Sequence, residues 1–288
     1  MSDLAIDELA RPPAIRAGRL PGWARPGVVL AGLVVVVVVL WALVPDWFAT
    51  ADPLVGVPAE KLRPPSRDHW FGTDQFGRDV FARTVHAARL SMSGALLATA
   101  IAFAGGALLG ATAGYVGGIV DTVAMRVVDV LLSVPNLLLT LMLLAAIGFG
   151  TTKVAIAVGI AGIARFARLA RGEVLRVRTT DYVEAAQASG SRWWSVLVSH
   201  VIPNSIAPLV VLATLELGTA VLAIAAMSFL GYGAAPPTPE WGTLIADGRD
   251  YVATSWWIST MPGLVVAAVT LSFNRLSRAL DAGRWRTR

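Results

Sequence analysis

Residues 27–44 read GVVLAGLVVVVVVLWALV, with no charge inside the run and with Pro26 and Pro45 at its edges. As a helix, a run of this length rises roughly 27 Å, close to the hydrocarbon thickness of a bilayer, at about 30 Å. Ala49-Thr50-Ala51 has the small-x-small form of a signal-peptide cleavage site. Asp3, Asp7 and Glu8 in the leader argue against that alternative, as does an apolar run longer than the usual ~7–15 residues. The stretch is read as a first transmembrane helix.

The rest of the chain agrees. Of 288 residues, 56% are hydrophobic and 15% charged, where soluble proteins carry about 25% charge. Too little charge remains to coat a soluble fold of this size. Further apolar runs fall near 92–113, 127–147, 151–170, 205–230 and 257–273. The expectation is an all-α integral membrane protein with six transmembrane helices. Arg165, Arg168 and Arg171 enter the distal end of the fourth run, where arginines can snorkel to a headgroup layer. Of the 24 basic residues, 16 fall on the side that holds both termini and 8 on the other. That bias places both termini in the cytoplasm. The expected division is a cytoplasmic tail over 1–26, a first span over 27–44 and an extracytoplasmic segment with an interfacial helix over 45–91. A five-helix core over 92–280 and a cytoplasmic tail over 281–288 follow.

Catalytic chemistry is missing. Without cysteine, thiol catalysis, disulfides and thiolate metal sites are excluded. His69, His86 and His200 form no metal-ligand spacing, so no metal site is expected, and no GxxxxGK[ST] loop cradles a nucleotide. Ser93-Gly94 with His200 lacks the Gly-x-Ser-Gly setting of an intramembrane serine protease. The net charge of +5 lacks the clustered basic face that nucleic-acid binding needs.

Ionisable residues inside spans are functional candidates by default. Asp129 lies one turn from Arg126 and is expected to pair with it. Glu216 sits near the middle of the fifth run without a partner close in sequence, and either lines a polar pathway or is buried against a neighbouring helix. Gly106, Gly110 and Gly114 repeat every four residues and permit close helix packing. Pro135 and Pro262 are expected kinks.

Residues 181–190 read DYVEAAQASG. Asp181 can cap a short helix, with Glu184 three residues on as in a capping box. Gly190 suits the left-handed position after its last turn. Ser191 then caps a second short helix that stops at Pro203. The two form a rigid knob, and small residues such as Ala185, Ala186 and Ser189 let another protein approach closely. An interfacial helix on lipid suits Trp193 and Trp194 but leaves that small-residue face unexplained.

Glu184-Ala185-Ala186, Gly190 and Ile202-Pro203 resemble the EAA loop, here 181–204, of permease subunits of ABC importers. Residues 70–80 (WFGTDQFGRDV) resemble the FGTDxxGRDV segment of dipeptide and oligopeptide importer permeases, and 228–231 (SFLG) with 236–242 (PPTPEWG) resemble a second. Pro262-Gly263, Phe273-Asn274 and Ala279-Leu280-Asp281 match the family's last span and tail. The chain most resembles the C-type permease of the peptide/nickel group, although Ile224 stands where many members carry glutamate. The resemblance implies a MetI-like, type I ABC importer permease fold in a prokaryotic cell membrane, with no catalysis and no cofactor on this chain. ATP and Mg would bind two partner ATPase subunits or domains, held through Tyr182, Glu184, Ala185, Ala186, Ser189 and Gly190. A homologous permease would share the pathway, where Glu216 is the candidate lining residue. An extracytoplasmic binding protein would deliver substrate, with Gly77, Arg78, Asp79 and Trp241 as candidate contacts. The other partner is membrane lipid, with no nucleic acid. A stand-alone secondary transporter or channel is the alternative, and it lacks midplane charges and an internal repeat.

Overall fold

The computed structural model describes residues 26–284. The expected tail over 1–26 lies outside them except for Pro26, as does the last part of the tail over 281–288. Ten α-helices follow one another: α1 (Pro26–Leu43), α2 (Val80–Val116), α3 (Gly118–Ser133), α4 (Asn136–Ile147), α5 (Thr151–Arg178), α6 (Asp181–Ala188), α7 (Trp193–Val196), α8 (Ile202–Phe229), α9 (Trp241–Asp247) and α10 (Trp257–Arg284). Among the described residues there is no strand beyond an isolated bridge between Thr73 and Asp79.

Packing partners give the helix directions. Gly94 faces Thr151 and Ala155, Gly106 faces Ile163 and Phe166, and Gly114 faces Arg171 and Val174, so α2 and α5 run side by side in the same sense. A Cβ on Gly106 would lie 2.3 Å from the Phe166 Cβ, and one on Gly110 would lie 2.2 Å from the Ala167 carbonyl oxygen. The four-residue glycine repeat is therefore the seam along which α5 lies against α2, as close backbone approach between membrane helices requires. Ser277 Oγ donates to the Val211 carbonyl and Thr270 Oγ1 to that of Gly218, so α8 and α10 are antiparallel. Gly27 lies against Arg275, which sets α1 antiparallel to α10. Both ends of the described chain thus reach the end of the bundle that carries α6 and α7, called here the knob end.

Four of the six expected crossings are helical runs long and apolar enough to cross a bilayer, and α3 with α4, bent by 99° at Val134–Pro135, has that length and apolarity only when the two are taken together. The kink expected at Pro135 is a full break. α5 runs parallel to α2 along the bundle, but Lys153, Arg165, Arg168 and Arg171 keep it from being apolar along its length. The three arginines do not simply snorkel: each meets a carboxylate of another helix, Arg165 with Glu216, Arg168 with Asp129 and Arg171 with Asp121. Asp129 is thus paired across helices rather than with Arg126.

α2 starts at Val80, where Asp79 Oδ1 accepts from the Ala82 amide at 2.7 Å, and runs unbroken to Val116, so the residues ahead of 92 lead into the second apolar run as one helix. One boundary differs from expectation: Pro203 does not stop the helix that starts at Trp193. A π-helical turn over Leu197–Val201 leads directly into α8, where Pro203 stands in the first turn. An amide at that position has no partner within the new helix, so a proline is tolerated there.

Candidate functional site

The knob is held at its base and bare at its tip. The Thr180 carbonyl accepts from the amides of Val183 and Glu184 and so starts α6. The capping box expected at Asp181 and Glu184 does not form: no hydrogen bond to either side chain is present among the described residues. The helix ends on Gly190, at φ +80°, while the Ser191 amide reaches back to the Ala186 carbonyl at 3.2 Å. That is a Schellman closure, and glycine supplies its left-handed residue. Val183 is fully buried and packs with Val174, Val177, Val196 and Val201. Tyr115, from the end of α2, donates its hydroxyl to the Trp193 carbonyl, and Arg178 donates to the Tyr115 carbonyl. Apolar packing and cross-helix hydrogen bonds therefore fix both helices to the ends of α2 and α5.

Of the sequence-predicted coupling residues, Tyr182, Glu184, Ala185, Ser189 and Gly190 are exposed, while Ala186 is half-buried against the valine cluster. The outward small face consists of Ala185, Ala188 and Ser189 rather than Ala186.

The candidate contacts at the opposite end need revising, because they are turned inward. Gly77 is buried at φ +77°, and a Cβ there would lie 2.0 Å from the Val57 carbonyl oxygen. Arg78 is buried and donates Nε to Asp74 Oδ2 at 2.7 Å, while Asp74 Oδ1 accepts from the amides of Phe76 and Arg78. Asp79 caps α2 and bonds His69 Nδ1 at 2.8 Å. Trp241 is 0% exposed and donates Nε1 to the Thr84 carbonyl at 2.9 Å. Beside it, fully buried Glu240 caps α9 through the amides of Gly242 and Thr243 and accepts from Ser91. Burial raises the Glu240 carboxyl above the usual range, and these hydrogen bonds oppose the shift only in part. Together these residues form a clasp that closes the outer segments onto α2.

Glu216 has the partner that sequence proximity failed to reveal. Arg165 Nη2 donates to its Oε2 at 2.8 Å, and Thr219 Oγ1 donates to the same oxygen at 3.1 Å. A cavity of about 270 Å³ opens beside the pair, lined also by Asn136, Val158, Thr219 and Ala220.

The structure is a helical bundle with membrane-spanning helices and a braced knob exposed at one end. The family model described as "Binding-protein-dependent transport system inner membrane component" matches residues 106–286, and the chain belongs to that family. It is a multi-pass inner-membrane permease of an ABC importer, not an enzyme. As such a permease it works with ATPase subunits, a second permease and a substrate-binding protein. It is 39% identical over 249 residues to "Probable D,D-dipeptide transport system permease protein DdpC" of Escherichia coli (strain K12), covering 86% of this chain and 84% of that one. It is 40% identical over 223 residues to the dipeptide transport system permease DppC of Alkalihalophilus pseudofirmus, covering 77% and 73%. Among solved structures, a chain of the MetNI methionine ABC transporter in inward-facing conformations matches with a TM-score of 0.53 at 17% identity, over 69% of this chain and 96% of that chain. At that identity the likeness speaks for the fold alone.

Proposed function

We propose that this chain is the C-type permease of an ATP-driven importer of dipeptides or oligopeptides. The observation that carries the substrate class is extended similarity to permeases named for dipeptide transport. The chain crosses the membrane six times with both termini cytoplasmic, a reading supported by the charge bias and by α5 traversing the bundle parallel to α2. A homologous permease encloses the pathway with it. Two ATPase subunits or domains, which bind ATP and Mg, each hold one permease's knob in a groove. An extracytoplasmic binding protein delivers the peptide. Closure of the ATPases on ATP moves the knobs and flips the bundle between inward- and outward-facing states, a rigid-body transition.

The knob suits this work because a rigid element transmits displacement instead of absorbing it. Its test is Gly190→Val in the importer reconstituted with all its partners in liposomes. Nothing lies within 4 Å of a Cβ at Gly190, so the substitution acts through the backbone. A left-handed residue with a Cβ costs about 1–2 kcal/mol, and relief of that strain reorients α6 against α7. ATP-dependent dipeptide uptake and substrate-stimulated hydrolysis should be abolished while the chain remains inserted. Normal transport by assembled Gly190→Val complexes would rule out the coupling role. A stand-alone carrier would instead purify without ATPases and transport without them.

A further inference from the structure

We propose that the Arg165–Glu216 ion pair is a closed charge gate on the transport pathway. This rests on the peptide-importer reading and adds a site to it. Arg165 stands between two spaces. On one side is the cavity of about 270 Å³ that reaches Val158 on α5 and Thr219 and Ala220 on α8. On the other is a groove of about 520 Å³ lined by Leu132, Arg168, Leu169, Glu173 and Leu212. Along α5 the first space precedes Arg165 and the second follows it; along α8, which runs the opposite way, the order reverses around Glu216. The first space lies toward the clasp end and the second toward the knob end, and the ion pair is the partition. The break between α3 and α4 falls at the same level, with Leu132 on one side and Asn136 on the other.

The pair is also incomplete in a way that suits a gate. Arg165 meets Glu216 through Nη2 alone, and its buried Nε has no partner among the described residues. A guanidinium has five N–H donors, so capacity remains for a second carboxylate. A charge left alone in a poorly solvated site is strongly disfavoured, so the pair holds until the ATP-driven conformational change pulls the two positions apart, and replacement charges ease that separation. A peptide with free termini brings both: its carboxylate takes Arg165 and its ammonium takes Glu216 as it passes.

The test uses the complete importer in liposomes. Arg165→Glu and Glu216→Arg should each cut dipeptide uptake about tenfold or more, and the double exchange should recover most of it, as expected for charges in direct contact. Because the native chain has no cysteine, Arg165→Cys with Glu216→Cys can be bridged by a short bifunctional thiol reagent. The yield should fall at least about threefold when the complex is trapped with nucleotide, if the two positions separate as the conformational populations shift. Folded exchange variants no better than either single change, or a bridging yield that ignores nucleotide state, would overturn the gate. If charge reversals fail to assemble, the uncharged cysteine pair decides alone. Wild-type complexes that import no dipeptide would refute the substrate class, while the bridging result would still decide the gate.

Discussion

At the knob end Tyr182, Trp193 and Trp194 stand exposed and Glu184 has no bonded partner among the described residues. At the clasp end Trp241, Glu240, Asp74 and Arg78 are buried and bonded: Arg78 to Asp74, and Glu240 and the Trp241 amide both to Ser91. Both regions carry aromatic rings, carboxylates and a left-handed glycine, Gly190 in one and Gly77 in the other. The chemistry is shared and the direction is opposite. The knob satisfies its backbone locally and leaves its side chains outward, a surface suited to being gripped. The clasp uses its side chains to satisfy backbone groups of other segments, as when Trp241 bonds the Thr84 carbonyl and Glu240 caps α9 while holding Ser91. A clasp built this way has little left to offer a partner at these residues.

The largest expected effect separates the two regions by stability. Trp241→Ala should lower unfolding stability in detergent by about 3–5 kcal/mol, since it removes a fully buried ring and leaves a cavity. Trp193→Ala, at a ring 61% exposed, should stay within about 1 kcal/mol. Comparable losses at both sites would erase the distinction between clasp and knob.

Sequence makes much of the fold legible because the bilayer imposes length and apolarity on each crossing. The 27–44 run, the glycine seam on α2, the break at Pro135 and the left-handed Gly190 all follow from local rules. Pairings across helices do not. Glu216 finds Arg165 from 51 residues away, and Asp129 prefers Arg168 to the nearby Arg126, because helices that are neighbours in space are remote in the chain. Arginines entering the fourth apolar run were the available signal: three at three-residue spacing on one helix, with Asp121, Asp129 and Glu216 as carboxylates on others, ask for a search for partners. The inward turn of Trp241 was equally hidden, since a tryptophan between glutamate and glycine reads the same on a surface as in a core. The passage of the helix through Pro203 depends on a π-helical turn that no residue pattern announces.

A middle-sized effect concerns pH at the clasp. Burial raises the Glu240 carboxyl in the folded state, so the folded protein holds a proton that the unfolded chain releases. Stability from this group therefore falls as pH rises from the ordinary carboxylate value toward the raised one, and returns on acidification. Asp247 is raised too, chiefly by burial, and contributes with the same sign. Comparison of wild type with Glu240→Gln cancels that background. The difference in unfolding midpoint between the two should shift in the wild type's favour as pH is lowered from neutral toward the ordinary carboxylate range. Parallel pH profiles would mean that Glu240 titrates no differently in the folded protein than in the unfolded chain.

The smallest stability effect is expected at Glu184, where two roles were open: a cap for α6 or a charge for a partner. A capping-box carboxylate would reach back to the amide of the residue that opens the helix, but the Thr180 amide bonds the Val177 carbonyl instead. The side chain is left exposed at the tip of the knob. Replacing a cap costs typically about 1 kcal/mol, whereas an exposed residue without partners changes stability by less than about 0.5 kcal/mol. Glu184→Gln should therefore leave the unfolding midpoint of the permease unchanged. If the carboxylate meets a basic residue of the ATPase, the same change should weaken ATPase binding, and the loss should shrink as salt is added, because ions screen an exposed pair. Titrating purified ATPase onto wild-type and Glu184→Gln permeases at low and high salt measures this directly. A destabilised variant with unaltered ATPase binding would return Glu184 to the helix as a cap and move the charge recognition of the knob elsewhere.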